Sequence, residues 1–178
     1  MALNKLWSNP YIRAVIILRI SVYFLIPFYP LEAIVVSILL DMIDWHILSW
    51  GNVTQGLYHK IDKPLDYLQY LFMIPPLLNT PIFIPYIALL VWRTIGHFLY
   101  EKFQKRFVFI LFPNMGEYIA IVYLISNRFE LNINPLAPNI FLLILSFKLA
   151  QETWIHYLAK GTSYNFAKKA KAFLYRKI

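Results

Sequence analysis

Six apolar stretches, 12–28, 31–50, 61–78, 81–100, 107–126 and 138–158, take up most of this 178-residue chain and leave short polar pieces between them. At 1.5 Å per residue, stretches of 17 to 21 residues form helices about 25 to 31 Å long, close to the thickness of a bilayer's hydrocarbon core. A domain wetted on every side needs more charge than is present here. Only 15% of residues are charged and 60% are apolar, with a mean hydropathy of +0.55, whereas soluble domains carry about 25% charged residues. The pattern predicts an all-α integral membrane protein, six transmembrane helices in one bundle, forming a single domain over 1–178. Pro75 and Pro76 late in the third stretch, and Pro113 with Gly116 in the fifth, mark interruptions that a spanning helix tolerates when neighbours satisfy the freed carbonyls. The first stretch reads as a retained helix, because no small-residue cleavage site follows it and a second apolar run begins at Leu31.

The charges give an orientation. With a cytoplasmic N-terminus, the cytoplasmic pieces hold Lys5, Arg13, Lys60, Lys63, Lys102, Lys105, Arg106, Lys160, Lys168, Lys169, Lys171, Arg176 and Lys177, and the opposite side holds Arg128. The positive-inside rule therefore places both termini in the cytoplasm. The tail 163–178 sets Phe166, Ala170, Phe173 and Leu174 along one helical stripe, with its basic residues largely elsewhere around the helix. That is the pattern of a basic amphipathic interfacial helix on the cytoplasmic face, with anionic membrane lipid as partner and no nucleic acid. The chain has no cysteine, so thiol nucleophiles and thiolate zinc sites are excluded.

All four aspartates of the chain, Asp41, Asp44, Asp62 and Asp66, fall within one window. The first pair is spaced i, i+3 and the second i, i+4, so each pair shares a helix face. The two helices are consecutive and antiparallel, and the segment joining them is cytoplasmic by charge, which brings the carboxylates together in the cytoplasmic half of one hairpin. Carboxylate oxygens are hard ligands suited to Mg²⁺ or Mn²⁺, and such a set can hold an ion against a substrate phosphate. Taken singly, the residues have plainer uses. Asp62 suits the cap of the third helix, with Pro64 in its first turn, and Asp44 suits pairing with Arg19, Arg93 or His46.

The stretch from Asp41 to Asp66 reads D-M-I-D-W-H-I-L-S-W-G-N-V-T-Q-G-L-Y-H-K-I-D-K-P-L-D. It resembles the signature of the CDP-alcohol phosphatidyltransferases, D-x2-D-G-x2-A-R-x8-G-x3-D-x3-D, with every acidic position in register. Arg19 with Pro27 in the first stretch looks like that family's L-R-x(n)-P pattern. The resemblance implies a membrane enzyme of phospholipid biosynthesis that needs Mg²⁺ or Mn²⁺. Asp41, Asp44, Asp62 and Asp66 would form the metal site, and Asp66 would also take the proton of the acceptor alcohol. A phosphatidyl or phospho-alcohol group passes from a CDP-linked donor to that alcohol, with release of CMP. The resemblance also implies a homodimer.

The departures bear on the nucleotide pocket. The motif's first glycine is Trp45, its Ala-Arg pair is Leu48 and Ser49, its second glycine is Tyr58, and Glu117 follows Gly116 where a lysine is common. An indole and a phenol where the family keeps small residues can fill the space the cytidine needs, so a catalytically inactive membrane module of the same fold, its aspartates serving a structural metal or ion pairs, is the rival reading. Arg19 and Arg93 suit a phosphate or headgroup through their guanidinium forks, and equally suit the aspartates as counter-ions. Lys148, Glu152 and His156, spaced i, i+4, i+8, form either an interhelical ion pair or a polar seam for transport.

Overall fold

A computed structural model describes residues 7–103, 105 and 107–154; for Trp45, Gln55, Gly56, His59 and Lys60 it describes the backbone only. The basic tail 163–178, His156 and the end of the sixth apolar stretch lie outside the described residues.

The described residues are all-helical, with no strand among them. In chain order the helices are α1 (Pro10–Leu25), α2 (Pro30–Trp50), α3 (Gln55–Phe72), α4 (Ile74–Leu77), α5 (Phe83–Phe103), α6 (Val108–Leu111), α7 (Met115–Arg128) and α8 (Pro138–Thr153). Proline sets several of the starts. Pro10, Pro30 and Pro138 stand in the first turns of α1, α2 and α8, where a missing N–H costs nothing. Asn9 caps α1 through its side-chain oxygen, which accepts from the N–H groups of Tyr11 and Ile12. Its amide also donates to the Gly51 carbonyl at 2.9 Å, tying the start of α1 to the end of α2. A Cβ on Gly51 would lie 2.9 Å from the Tyr11 ring, so this close approach needs glycine. Asn52 then turns the chain with φ of 54°, a left-handed conformation that asparagine tolerates.

Two expectations change. The fifth stretch is not one helix: Pro113 ends α6, and α7 begins at Met115. The third helix starts at Gln55 rather than Ile61, so Asp62 lies inside α3 and does not cap it. Thr54 holds the cap position instead, and Pro64 falls within the helix, where it removes the N–H that the Lys60 carbonyl would accept.

By contact the chain divides into two compact units, one running to Phe83 and including Leu124–Asn132, the other containing Ile84–Tyr123 and the residues from Ile133. In the first unit α1 packs against both α2 and α3. Its core includes Ile12, Val15, Tyr23 and Ile26 of α1, Ile34 and Leu48 of α2, and Ile61 and Leu65 of α3. In the second unit α6 packs on α8, and Arg93 on α5 donates to the Phe112 carbonyl at 2.8 Å, satisfying backbone at the break between α6 and α7.

Polarity is distributed in an unusual way. Arg19, Asp44, Asp62, Lys148 and Glu152 are buried, while Phe28 (75% exposed), Ile84 (71%), Phe98 (70%) and Leu143 (67%) face outward. Among the described residues one helix, α5, has the length and hydropathy needed to cross a membrane.

Candidate functional site: four carboxylates around one guanidinium

Three helices of the first unit build the site. α1 supplies Arg19, α2 supplies Asp41 and Asp44 on one face, and α3 supplies Asp62 and Asp66 one turn apart. Arg19 Nη1 lies 2.8 Å from Asp44 Oδ2, 3.0 Å from Asp62 Oδ1 and 3.1 Å from Asp41 Oδ1, and Nη2 lies 2.8 Å from Asp66 Oδ1. One guanidinium therefore touches all four carboxylates. Its planar fork permits this: the two terminal nitrogens carry N–H groups in different directions, which an ammonium of the same charge cannot arrange. The third nitrogen, Nε, donates to the Tyr23 hydroxyl at 2.7 Å, one turn along the same helix.

The carboxylates are not equivalent. Asp44 and Asp62 have side chains only 3% and 9% exposed, Asp66 is intermediate, and Asp41 stands half in the open. Exposure thus falls across the cluster from Asp41 at its rim to Asp44 at its floor. The Tyr58 hydroxyl closes the floor, donating toward Asp44 Oδ1 at 3.2 Å and Asp62 Oδ1 at 3.4 Å. Lys63 reaches Asp62 Oδ2 and Asp66 Oδ2, each at 3.4 Å. Among the described residues, four carboxylates face two cationic side chains, a formal excess of two negative charges.

That excess makes a divalent cation a chemically fitting guest. Asp41, Asp62 and Asp66 can each offer an oxygen such that the three lie within 4.8 Å of one another, a spacing compatible with oxygen coordination of Mg²⁺ or Mn²⁺. Asp44 stands outside this group, engaged by Arg19 and Tyr58. The four aspartates singled out in the sequence therefore come together, but as three grouped oxygens plus one floor residue.

The departures from the motif fall into place individually. Tyr58 is buried, and its oxygen serves the carboxylates. Leu48 is a core residue, and the Ser49 hydroxyl donates to the His46 carbonyl of its own helix. The Trp45 side chain lies outside the described residues. Of the two arginines left open as counter-ions, Arg19 holds the aspartates; Arg93 lies over the Phe109 ring and pairs with Glu152 at 3.7 Å. Lys148 also pairs with Glu152, at 3.4 Å, and donates to Gln151, which accepts in turn from Tyr118. Within the described residues the sequence's Lys148 and Glu152 thus form a buried ion pair.

Three partners escaped the sequence reading: Tyr23, Lys63 as a bridge, and the hydroxyl of Tyr58. Each had a signal, since Tyr23 is i+4 from Arg19, Tyr58 is i−4 from Asp62, and Lys63 is i−3 from Asp66. Comparison with protein-family models, curated proteins and solved structures finds no match to this chain.

Proposed function

We propose that the protein is a six-span membrane enzyme of the CDP-alcohol phosphatidyltransferase type, with both termini and the aspartate end of its helices in the cytoplasm. The observation that carries this reading is the convergence of Asp41, Asp44, Asp62 and Asp66 on one guanidinium, with a formal excess of two negative charges among the described residues. Bringing four carboxylates together, two of them buried, costs free energy that Arg19 and Lys63 offset in part, and a divalent cation would offset the remainder. The lipid setting is supported by the buried ions and outward-facing rings, since a chain dissolved in water gains nothing from that arrangement. The excess of Lys and Arg in the pieces placed on one side supports the orientation.

In this reading Asp41, Asp62 and Asp66 hold Mg²⁺ or Mn²⁺, which when bound neutralises the diphosphate of a CDP-linked donor. Asp44 stays on the floor with Tyr58, fixing the angle between α2 and α3. Asp66 takes the proton from the acceptor hydroxyl as that oxygen bonds to the donor's lipid- or alcohol-bearing phosphorus. The phosphorus–oxygen bond to CMP breaks, and CMP carries away the electron pair. Arg93 is bound to Glu152 and a backbone carbonyl.

A second reading has its own support. Arg19 and Tyr58 together touch every carboxylate, so the site is internally partnered as it stands, which suits a non-catalytic membrane module. One assay separates the two. Purified protein with Mn²⁺, CDP-diacylglycerol and a panel of alcohols releases CMP if the first reading holds, and Asp66→Asn, folded by its melting curve, does not. No CMP from any CDP-linked donor leaves the module.

A further inference from the structure

We infer that Ser37 and Gln69 are positioning residues for the Arg19 guanidinium, acting on it through the Tyr23 hydroxyl. The inference holds whether the four carboxylates serve catalysis or structure. Tyr23, Ser37 and Gln69 come one from each helix of the site, and each lies one turn from a cluster residue of its own helix. Tyr23 is i+4 from Arg19, Ser37 is i−4 from Asp41 and Gln69 is i+3 from Asp66, all in the direction away from Gly51. All three are buried, Tyr23 and Ser37 completely, so they form a second polar tier next to the charged one. Ser37 Oγ lies 2.8 Å from Gln69 Oε1, joining α2 to α3, and the Ser37 hydroxyl is also a hydrogen-bond partner of Tyr23, joining α2 to α1. One turn further along the same helices stand Ile26, Ile34 and Met73, none more than 1% exposed. The polar tier therefore ends on apolar side chains, and its only charged neighbour along this seam is the Arg19 cluster.

Donor chemistry gives the tier one direction. Arg19 Nε carries a single hydrogen, which it donates to the Tyr23 oxygen at 2.7 Å. The hydrogen of Tyr23 is left for Ser37 Oγ, and the hydrogen of Ser37 goes to the side-chain carbonyl of Gln69, which can only accept. Each hydroxyl thus donates away from Arg19, and Nε–H meets an oxygen lone pair. The guanidinium is planar, so fixing Nε–H also fixes the directions of Nη1 and Nη2, the atoms that touch Asp41, Asp44, Asp62 and Asp66. When Ser37 or Gln69 no longer accepts, the chain of donors loses its direction. The Tyr23 hydrogen then turns to other acceptors, its oxygen leaves Nε, and the effect reaches the carboxylates one tier away.

The test uses full-length protein in detergent micelles, with arginine isotope-labelled at Nε and observed by NMR. The Arg19 signal is the one that Arg19→Lys removes. In wild type the Arg19 Nε–H exchanges slowly with water, as a buried hydrogen-bonded group does. Ser37→Ala and Gln69→Met each move that signal and speed its exchange roughly tenfold, the scale of one lost hydrogen bond at a charged group. Ile12→Ala, which loosens the core of the same unit without touching a polar atom, lowers the melting temperature and leaves the signal in place. An unmoved Arg19 signal in Ser37→Ala and Gln69→Met, despite lower melting, overturns the inference. So does an equal displacement in Ile12→Ala, or a wild-type Nε–H that exchanges as fast as that of an exposed arginine. Should Ser37→Ala fail to fold, Gln69→Met decides alone. CMP release plays no part in the readout, so the enzyme reading and this inference fail separately.

Discussion

The Tyr58 hydroxyl lies 3.2 Å from Asp44 Oδ1, at the position where the resembled motif carries its second glycine. In the proposed reading the ring stands where a cytidine would need room, while its oxygen serves the acid cluster, and two substitutions separate these roles. Tyr58→Phe keeps the ring and removes the donor, costing about 1–2 kcal/mol, as expected for a buried acceptor losing one partner. Tyr58→Gly opens the space at a cost of about 3–5 kcal/mol for the emptied volume, plus the entropy of a helical glycine. If the ring blocks cytidine, Tyr58→Gly gains CDP binding by equilibrium dialysis and Tyr58→Phe does not. Equal binding in both would assign the ring to packing.

Asp41 gives a prediction with opposite signs for stability and for binding. Its carboxylate is half exposed at the rim of a cluster in which, among the described residues, four carboxylates face two cationic side chains. Asp41→Asn relieves repulsion and stabilises the metal-free protein by up to about 1 kcal/mol, the scale of an exposed charge interaction. It also replaces one of three grouped carboxylates by a neutral amide, a weaker ligand for a hard cation, so Mn²⁺ affinity falls about tenfold or more. Thermal melts with and without Mn²⁺ check both signs on one sample. Asp44→Asn behaves differently: its side chain is 3% exposed and tied to Arg19 and Tyr58, and the variant loses about 1–3 kcal/mol with or without metal.

The hairpin of acids was legible because helical spacing alone puts Asp41 beside Asp44 and Asp62 beside Asp66. What spacing cannot select is the partner. Arg19 and Arg93 are both isolated cations within apolar runs, and only the packing of α1 against α2 and α3 gives the aspartates to Arg19. The start of α3 was missed for a related reason. Residues 55–60 are mixed in polarity, so an apolar count begins at Ile61, although the backbone turns helical as soon as Thr54 provides a cap. Pro113 was readable as a break, but the arginine that satisfies the backbone beside it, twenty residues earlier in sequence at Arg93, was not.

Two glycines of the second unit should respond to alanine in opposite directions. A Cβ at Gly96 on α5 clashes with Phe112 Cβ, and Phe112 cannot yield freely because Arg93 grips its carbonyl. Gly96→Ala therefore costs about 1–3 kcal/mol, despite alanine's better helix propensity. At Gly116 on α7 the added Cβ meets the Tyr86 ring at 3.4 Å, an ordinary contact, so Gly116→Ala is neutral or stabilising by about 0.4–1 kcal/mol. Urea or heat denaturation in the same detergent ranks the two.

Glu152 stands between two cations, Arg93 at 3.7 Å and Lys148 at 3.4 Å. Glu152→Gln leaves a buried Lys148 and a half-buried Arg93 beside a neutral amide and costs about 3–5 kcal/mol, whereas Lys148→Met with Glu152→Leu, removing a pair together, costs much less. A double-mutant cycle on melting gives the coupling. Proton-coupled uptake into vesicles that disappears in a stably folded Glu152→Gln would instead favour a transport seam.

The absence of cysteine lets the proposed membrane orientation be tested directly. Thr54 follows α2 and Lys102 lies in the last turn of α5, both exposed and both on the side that the basic residues assign to the cytoplasm. Leu78, after α4, and Asn127, in the last turn of α7, are exposed positions on the side assigned to the exterior. Single cysteines at these four sites are treated with a membrane-impermeant maleimide in sealed right-side-out vesicles. Leu78→Cys and Asn127→Cys label at once, while Thr54→Cys and Lys102→Cys label only after detergent. The inverse pattern would move the aspartates to the other face, away from the cytoplasmic supply of CDP-linked donors. Labelling of all four without detergent would remove the chain from the bilayer and, with it, the reason for ions inside and rings outside.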